Sequence, residues 1–256
     1  MPLADRPRPM KPSVRQRSTR DRPAKAPLSE EAVVDAALAI LQGDGLEAVT
    51  MRRVAAALDT GAASLYVYVS GREGLLQGML SRVISTITLE TPDAGRWRAQ
   101  LHALLQRLRH ALVAHPGIAA ITLTDSPTTE SVLLLTENLL GILLAGELDA
   151  QDAAWACDIF VLLAMATARE DDVRRPGGGR EAEHRHRVDE LSTTFAGLPP
   201  DRFPLIAAHA AQLVAGDGDE RFRFAIDVVI DGILAGAGDR FAIPPRSGTR
   251  TGTHSA

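Results

Sequence analysis

The sequence predicts an all-α fold, with a small helical unit near the N-terminus and a larger helical unit behind it. Three observations carry that expectation. Apolar residues make up 45% of the 256-residue chain and aromatics only 4%, with Ala and Leu dominant, a composition that favours helix over sheet. Apolar positions recur at i, i+3, i+4 and i+7 along much of the chain, which is the period of one helical face. No strand-like alternation and no internal repeat stands out.

The elements follow in order. Residues 1–27 are rich in Pro and Arg with almost nothing to bury, so they are expected to be disordered. They carry eight basic side chains (Arg6, Arg8, Lys11, Arg15, Arg17, Arg20, Arg22, Lys25) against Asp5 and Asp21, so this arm is +6 in a chain of net charge −4 and the rest is −10. A basic arm ahead of an acidic body suits contact with a polyanion; a solubilising leader fits the arm equally well. Order begins at Ser29, an N-cap followed by Glu30 and Glu31, acids that the helix dipole favours. Val33, Ala36, Ala37, Ile40 and Leu41 then form one stripe, which Gly43 and Gly45 end. Thr50 caps a second, short helix with Val54, Ala55 and Leu58 inward.

A break at Asp59-Thr60-Gly61 leads to a third helix of about eight residues, with Ala62, Leu65 and Val69 facing the core. Ser70 caps a fourth helix through Leu75, Leu76, Met79, Leu80 and Val83. Pro92-Asp93-Ala94-Gly95 marks the boundary, giving a front unit at 28–90, a larger one at 91–243 and a frayed tail at 244–256. Helices are expected in the larger unit at 96–114, 117–123, 128–145, 150–170, 184–196, 203–214 and 219–236, with a loop within 173–187.

Several function classes are disfavoured. The single cysteine, Cys157, permits neither an internal disulfide nor a thiolate metal cluster, which fits a reducing cytoplasm. It lies on a nearly all-apolar helix and is expected in the core. That helix, Ala153 to Ala168, is too short for a membrane span and contains Asp158, so burial on two faces is expected. The N-terminal residues contain no apolar signal core, so export is not expected. His184 and His186 sit among Arg and Glu and are expected to be solvated rather than metal-bound. No nucleophile–base pair or metal cluster occurs at a telling spacing, so no catalytic residue, metal or cofactor is expected.

Helix, tight turn and helix within about 20 residues, braced by a preceding helix, is helix-turn-helix geometry. The third helix would place Ala63, Ser64 and Val67 outward, with Tyr66 and Tyr68 on the flanks. Ser64 and the phenols can bond phosphates or base edges, and Ala63 and Val67 can meet thymine methyls. A plain helical bundle would have no need of two tyrosines flanking a small-residue face.

The run from Leu46 to Leu58, then Ser64-Leu-Tyr-Val-Tyr-Val69, then Gly71-Arg-Glu-Gly-Leu-Leu76, resembles the DNA-binding domain of the TetR (tetracycline-repressor) family. Thr50, the Leu65-Tyr66 pair and Arg72 match that family's pattern. The resemblance implies that Thr50, Arg52, Ser64, Tyr66, Tyr68 and Arg72 contact DNA, mainly its phosphates. Two departures stand out. Asp59 replaces a turn glycine usual in many members, with Gly61 close by to relieve the backbone. The expected recognition helix is also poor in Arg, Lys, Asn and Gln, which shifts reading toward shape and apolar contacts. Residues 28–90 hold four basic against eight acidic side chains, which makes the arm a plausible electrostatic helper.

The later segments His115-Pro-Gly117, Thr136-Glu-Asn-Leu-Leu140, Asp152-Ala-Ala-Trp-Ala156, Phe203-Pro204 and Gly216 to Phe222 resemble the tetracycline-repressor subclass. That resemblance implies a homodimer that binds double-stranded operator DNA and is released by a small-molecule effector. The helices near 151–169 and 219–236 would form the dimer interface. The first would use Ala153, Ala156, Ala164 and Ala168, the second Phe222, Ala225, Ile226, Val229, Ile230 and Ile233. By position, the effector contacts read Leu104, Leu108, Thr122, Asp125 and Asn138, with Thr122 standing where the tetracycline repressor has a metal-ligating histidine; a capping role before Pro127 fits Asp125 at least as well. A hydroxyl is a poor substitute for imidazole, so a mostly apolar effector is expected and magnesium-tetracycline is not. A filled apolar core is the plain alternative for these leucines. The rival readings are an activator, a regulator sensing a protein partner and, remotest, a helical enzyme.

Overall fold

The computed structural model describes residues 27–123, 129–173 and 180–236, and every regular element among them is helical. The expected basic arm (all but Pro27), Asp125 and the tail from 244 lie outside the described residues. In chain order the helices are α1 (Glu30–Asp44), α2 (Met51–Ala57), α3 (Ala62–Leu65), α4 (Gly71–Ile84), α5 (Trp97–Val113) and α6 (Glu130–Ala145). They continue with α7 (Ala150–Val173), α8 (Arg180–Ala196), α9 (Pro204–Ala208), α10 (Ala210–Val214) and α11 (Gly218–Ala235). Short 3-10 turns lie at Leu46–Ala48 and Ile118–Leu123.

Local chemistry sets the front unit. Ser29 Oγ accepts the Ala32 N–H at 3.2 Å, and α1 buries Val33, Val34, Ala37, Ile40 and Leu41. The helix runs on through Gly43 and ends at Gly45, whose φ of 81° suits a residue without Cβ. Thr50 Oγ1 accepts the Arg53 N–H at 3.2 Å and starts α2. The turn after α2 differs from expectation. Asp59 itself takes the left-handed conformation, φ 50°, while Gly61 is extended at φ −82°; the glycine does not relieve the turn. Aspartate tolerates this region better than other residues with a Cβ. An Asp59→Val variant is therefore expected to lose about 1–2 kcal/mol of stability, and Asp59→Gly to lose none, in urea unfolding.

The body is built around α5, which buries Leu101, Leu104, Leu105, Leu108 and Leu112 and packs on α6 and α7. Helix α7 is 24 residues long, and its Ala150–Glu170 stretch is long and apolar enough to cross a membrane, so the expectation that it is too short does not hold. Its contacts instead close one face: Ala153, Ala156, Phe160, Ala164 and Ala168 are fully buried, against neighbours α5, α6 and α11. These alanines thus let helices of the same chain approach and do not face outward as an interface. Phe222, Ile226 and Ile230 of α11 are likewise buried inside the chain. Helix α8 packs against α9 and α10, and the helix expected over 203–214 is interrupted at His209.

Candidate nucleic-acid interface and its link to the effector domain

The helix-turn-helix is held from within. Val54 and Ala55 of α2 and Leu65 and Val69 around α3 are buried in one core with α1 and α4. Regular α3 is a single turn; the chain continues to Val69 through bonds of the Tyr68 and Val69 N–H groups to the Leu65 carbonyl. The opposite face stands clear of the protein. Ala63 and Ser64 are exposed, Tyr66 is 61% and Val67 80% exposed. Such a narrow convex ridge of small and hydroxyl-bearing groups is sterically suited to a major groove.

Tyr68 is different. It is half-buried and packs against the core, because the turns after Leu65 rotate it inward. The sequence-based view of it as a plain surface contact needs that correction, since truncation there would also cost stability.

Thr50 is exposed; its oxygen caps α2, which leaves its O–H to donate outward. Arg72 Nε donates to the Val49 carbonyl at 3.3 Å, tying the start of α4 to the start of α2 and leaving the terminal nitrogens for a phosphate. Of the four cations in residues 28–90, Arg53 pairs with Asp44 and Arg82 with Asp35 at 3.3 Å. Among the described residues, Arg52 and Arg72 are the two of these four that make no ion pair with a carboxylate.

The link between α4 and α5, residues 85–96, is held by side chains of the body. Arg107 bonds the Thr88 carbonyl and the Glu90 carboxylate. That hydrogen bond, above all, holds the Glu90 carboxyl below the usual carboxylate range. Gln100, 4% exposed, donates to the Thr91 carbonyl and accepts from the Asp93 N–H, both at 2.8 Å. Asn138 on α6 donates to the Glu90 carbonyl at 2.7 Å, while its Oδ1 is buried without a partner.

Of the effector positions read from sequence, Leu104 and Leu108 lie in the packed core of α5. Asn138 is engaged on the linker as just described. Thr122 falls in the 3-10 turn Ile118–Leu123, its side chain and Asp125 being outside the described residues. The linker contacts of Arg107 and Gln100 were missed by sequence reasoning, as neither residue sits in a recognisable motif. His186 is exposed, 3.4 Å from Glu190. Cys157 is buried, and burial, with Asp158 a lesser cause, pushes its thiol up to about 11, which removes the thiolate from neutral pH.

Comparison with known proteins bears on both units. The family profile "Bacterial regulatory proteins, tetR family" matches residues 33–79, and "Tetracyclin repressor-like, C-terminal domain" matches residues 91–236. The HTH-type transcriptional repressor DrrR1 of Streptomyces coeruleorubidus is 30% identical, over 83% of this chain and 80% of that protein. The tetracycline repressor protein class C of Escherichia coli is 26% identical, over 80% of this chain and 90% of that protein. Among solved structures, the Streptomyces coelicolor TetR family protein ActR in complex with actinorhodin superposes with a TM-score of 0.76. It has 33% identity, covering 84% of this chain and 99% of that one. The match of both profiles, one over the braced helix-turn-helix and the other over the helical body, places this chain in the TetR family of bacterial regulatory proteins.

Proposed function

We propose that the protein is a cytoplasmic, homodimeric repressor that binds palindromic operator DNA and leaves it when a mostly apolar small molecule binds the helical body. Thr50, Arg52, Ala63, Ser64, Tyr66, Val67 and Arg72 form the DNA face, with Tyr68 supporting it from the half-buried side. The basic arm adds contacts to phosphates that do not depend on sequence. The observation that carries ligand release is the Asn138 bond to the Glu90 carbonyl, because it joins α6 to the linker that leads into α4. An effector that takes up the Asn138 amide frees the linker, and α4 then carries the change to the reading ridge. Allostery requires such a differential contact between two states. The related DrrR1 is named a repressor and the related ActR is described in complex with actinorhodin, both consistent with this role.

The test is an operator-release assay over a panel of apolar and polycyclic aromatic compounds, with tetracycline run with and without magnesium. Asn138→Ala is expected to weaken operator binding or its release by roughly tenfold, the worth of one hydrogen bond of the stronger kind. An Asn138→Ala protein with unchanged operator affinity and unchanged release would sink the linker mechanism. Magnesium-dependent release by tetracycline would sink the apolar effector.

A further inference from the structure

The fold leaves the reading ridge with fewer free side chains than its sequence offers. Ala62, Leu65 and Val69 are held by the core, and Tyr68 is half-buried against it. Ala63, Ser64, Tyr66 and Val67 remain exposed. From Gly61 to Ser70 the chain has no Asn, Gln, Arg, Lys, Asp or Glu. The bidentate pairings that pick out guanine or adenine in a major groove need an amide, an ammonium or a guanidinium, and the ridge has none. Arg52 lies on α2 and Arg72 in the first turn of α4, off the ridge itself.

The ridge presents methyl surface instead. Val67 stands one turn beyond Ala63, and both are exposed on the side opposite buried Leu65 and Val69. Val67 is 80% exposed, so the chain itself shelters little of its apolar surface. The major groove has one apolar base-edge feature, the C5 methyl of thymine.

We infer that this ridge reads base identity chiefly through thymine 5-methyl groups, which Ala63 and Val67 cover. The half-site then carries thymine where these two residues meet it. The Ser64 and Tyr66 hydroxyls both donate and accept, so they bond base edges or phosphates without telling one pair from another. This inference rests on the DNA-binding role of the same ridge and adds the chemical feature that the ridge recognises. It has a corollary: 5-methylcytosine carries the same methyl at the same ring position, so it substitutes for thymine there.

The experiment enriches a random duplex pool with the full chain, then measures anisotropy with the enriched duplex and its base-analogue forms. Single deoxyuridine replacements within the half-site locate the contacted thymine. Burial of one methyl is worth about fourfold, so its loss from both half-sites of a palindrome should weaken binding by roughly tenfold or more. Deoxyuridine confined to the flanking pairs should change nothing, which separates a lost methyl contact from an altered duplex shape. Val67→Ala should lower affinity for the thymine duplex and bring the thymine-to-uracil ratio toward one, with thermal unfolding unchanged. Val67→Ile should keep the ratio. With cytosine in place of the contacted thymine binding should fall, and 5-methylcytosine should restore part of it. Failure to enrich any sequence would remove the DNA-binding reading and this inference together. Enrichment followed by equal affinity for thymine and uracil duplexes would overturn the methyl readout alone. So would a ratio unchanged in Val67→Ala, or equal binding to cytosine and 5-methylcytosine.

Discussion

A Val67→Glu variant should lose operator affinity by roughly 10²- to 10⁴-fold, because a lost base contact is worth about 1–3 kcal/mol per reading head and the proposed dimer has two. Val67 is the most protruding apolar residue of the reading ridge, 80% exposed, so the new carboxylate meets solvent in the free protein and the fold is unaffected. On DNA it meets a groove walled by phosphates. Tyr66→Ala should fall in the same direction by less, since it removes a contact without adding a repulsive charge. Tyr68→Ala, by contrast, should lower both operator affinity and melting temperature, because Tyr68 packs on the core. Fluorescence anisotropy with operator DNA, beside thermal unfolding, separates the three. Undiminished binding by Val67→Glu would move the reading surface off this ridge.

How much of this was legible in the sequence depends on distance along the chain. The Ser29 and Thr50 caps were readable because the cap and the N–H it receives are three residues apart. The boundary at Pro92 was readable because turn residues cluster there. What failed was orientation. On α7 the alanines and the large apolar residues occupy both faces, and periodicity alone does not say which face the chain's own core claims. Tyr68 was misplaced for a related reason: 100° per residue holds only while the helix lasts, and regular α3 ends at Leu65. The linker contacts were out of reach altogether. Asn138 lies 48 residues from the Glu90 carbonyl it holds, and nothing local marks either as half of a pair.

That reassignment of faces changes which substitution would break the proposed dimer. With the alanines of α7 turned inward, its outward stripe is Trp155, Ile159 and Leu162, at i, i+4 and i+7, all exposed. Helix α11 packs beside α7 and presents Phe224, 70% exposed, and Val228. One turn beyond Val228, a Cβ added at Gly232 would meet no atom within 4 Å, so that surface is open to a close neighbour. Two neighbouring helices that each expose apolar residues are what a second copy would cover in a four-helix arrangement with two-fold symmetry. Phe224→Glu and Ile159→Glu are therefore expected to turn the protein monomeric with its helix content intact. Both change residues that the single chain leaves in solvent. Val229→Glu tests nothing cleanly, because half-buried Val229 packs against the chain's own core and a charge there would also cost stability. Loss of the second reading head removes the gain from linking two sites, so operator affinity should fall by roughly 10²- to 10⁴-fold. Sedimentation velocity reads the first effect and anisotropy the second. A pair of variants that still sediment as dimers would place the interface on another face, with α8–α10 and their exposed Leu205 and Leu213 the next to test.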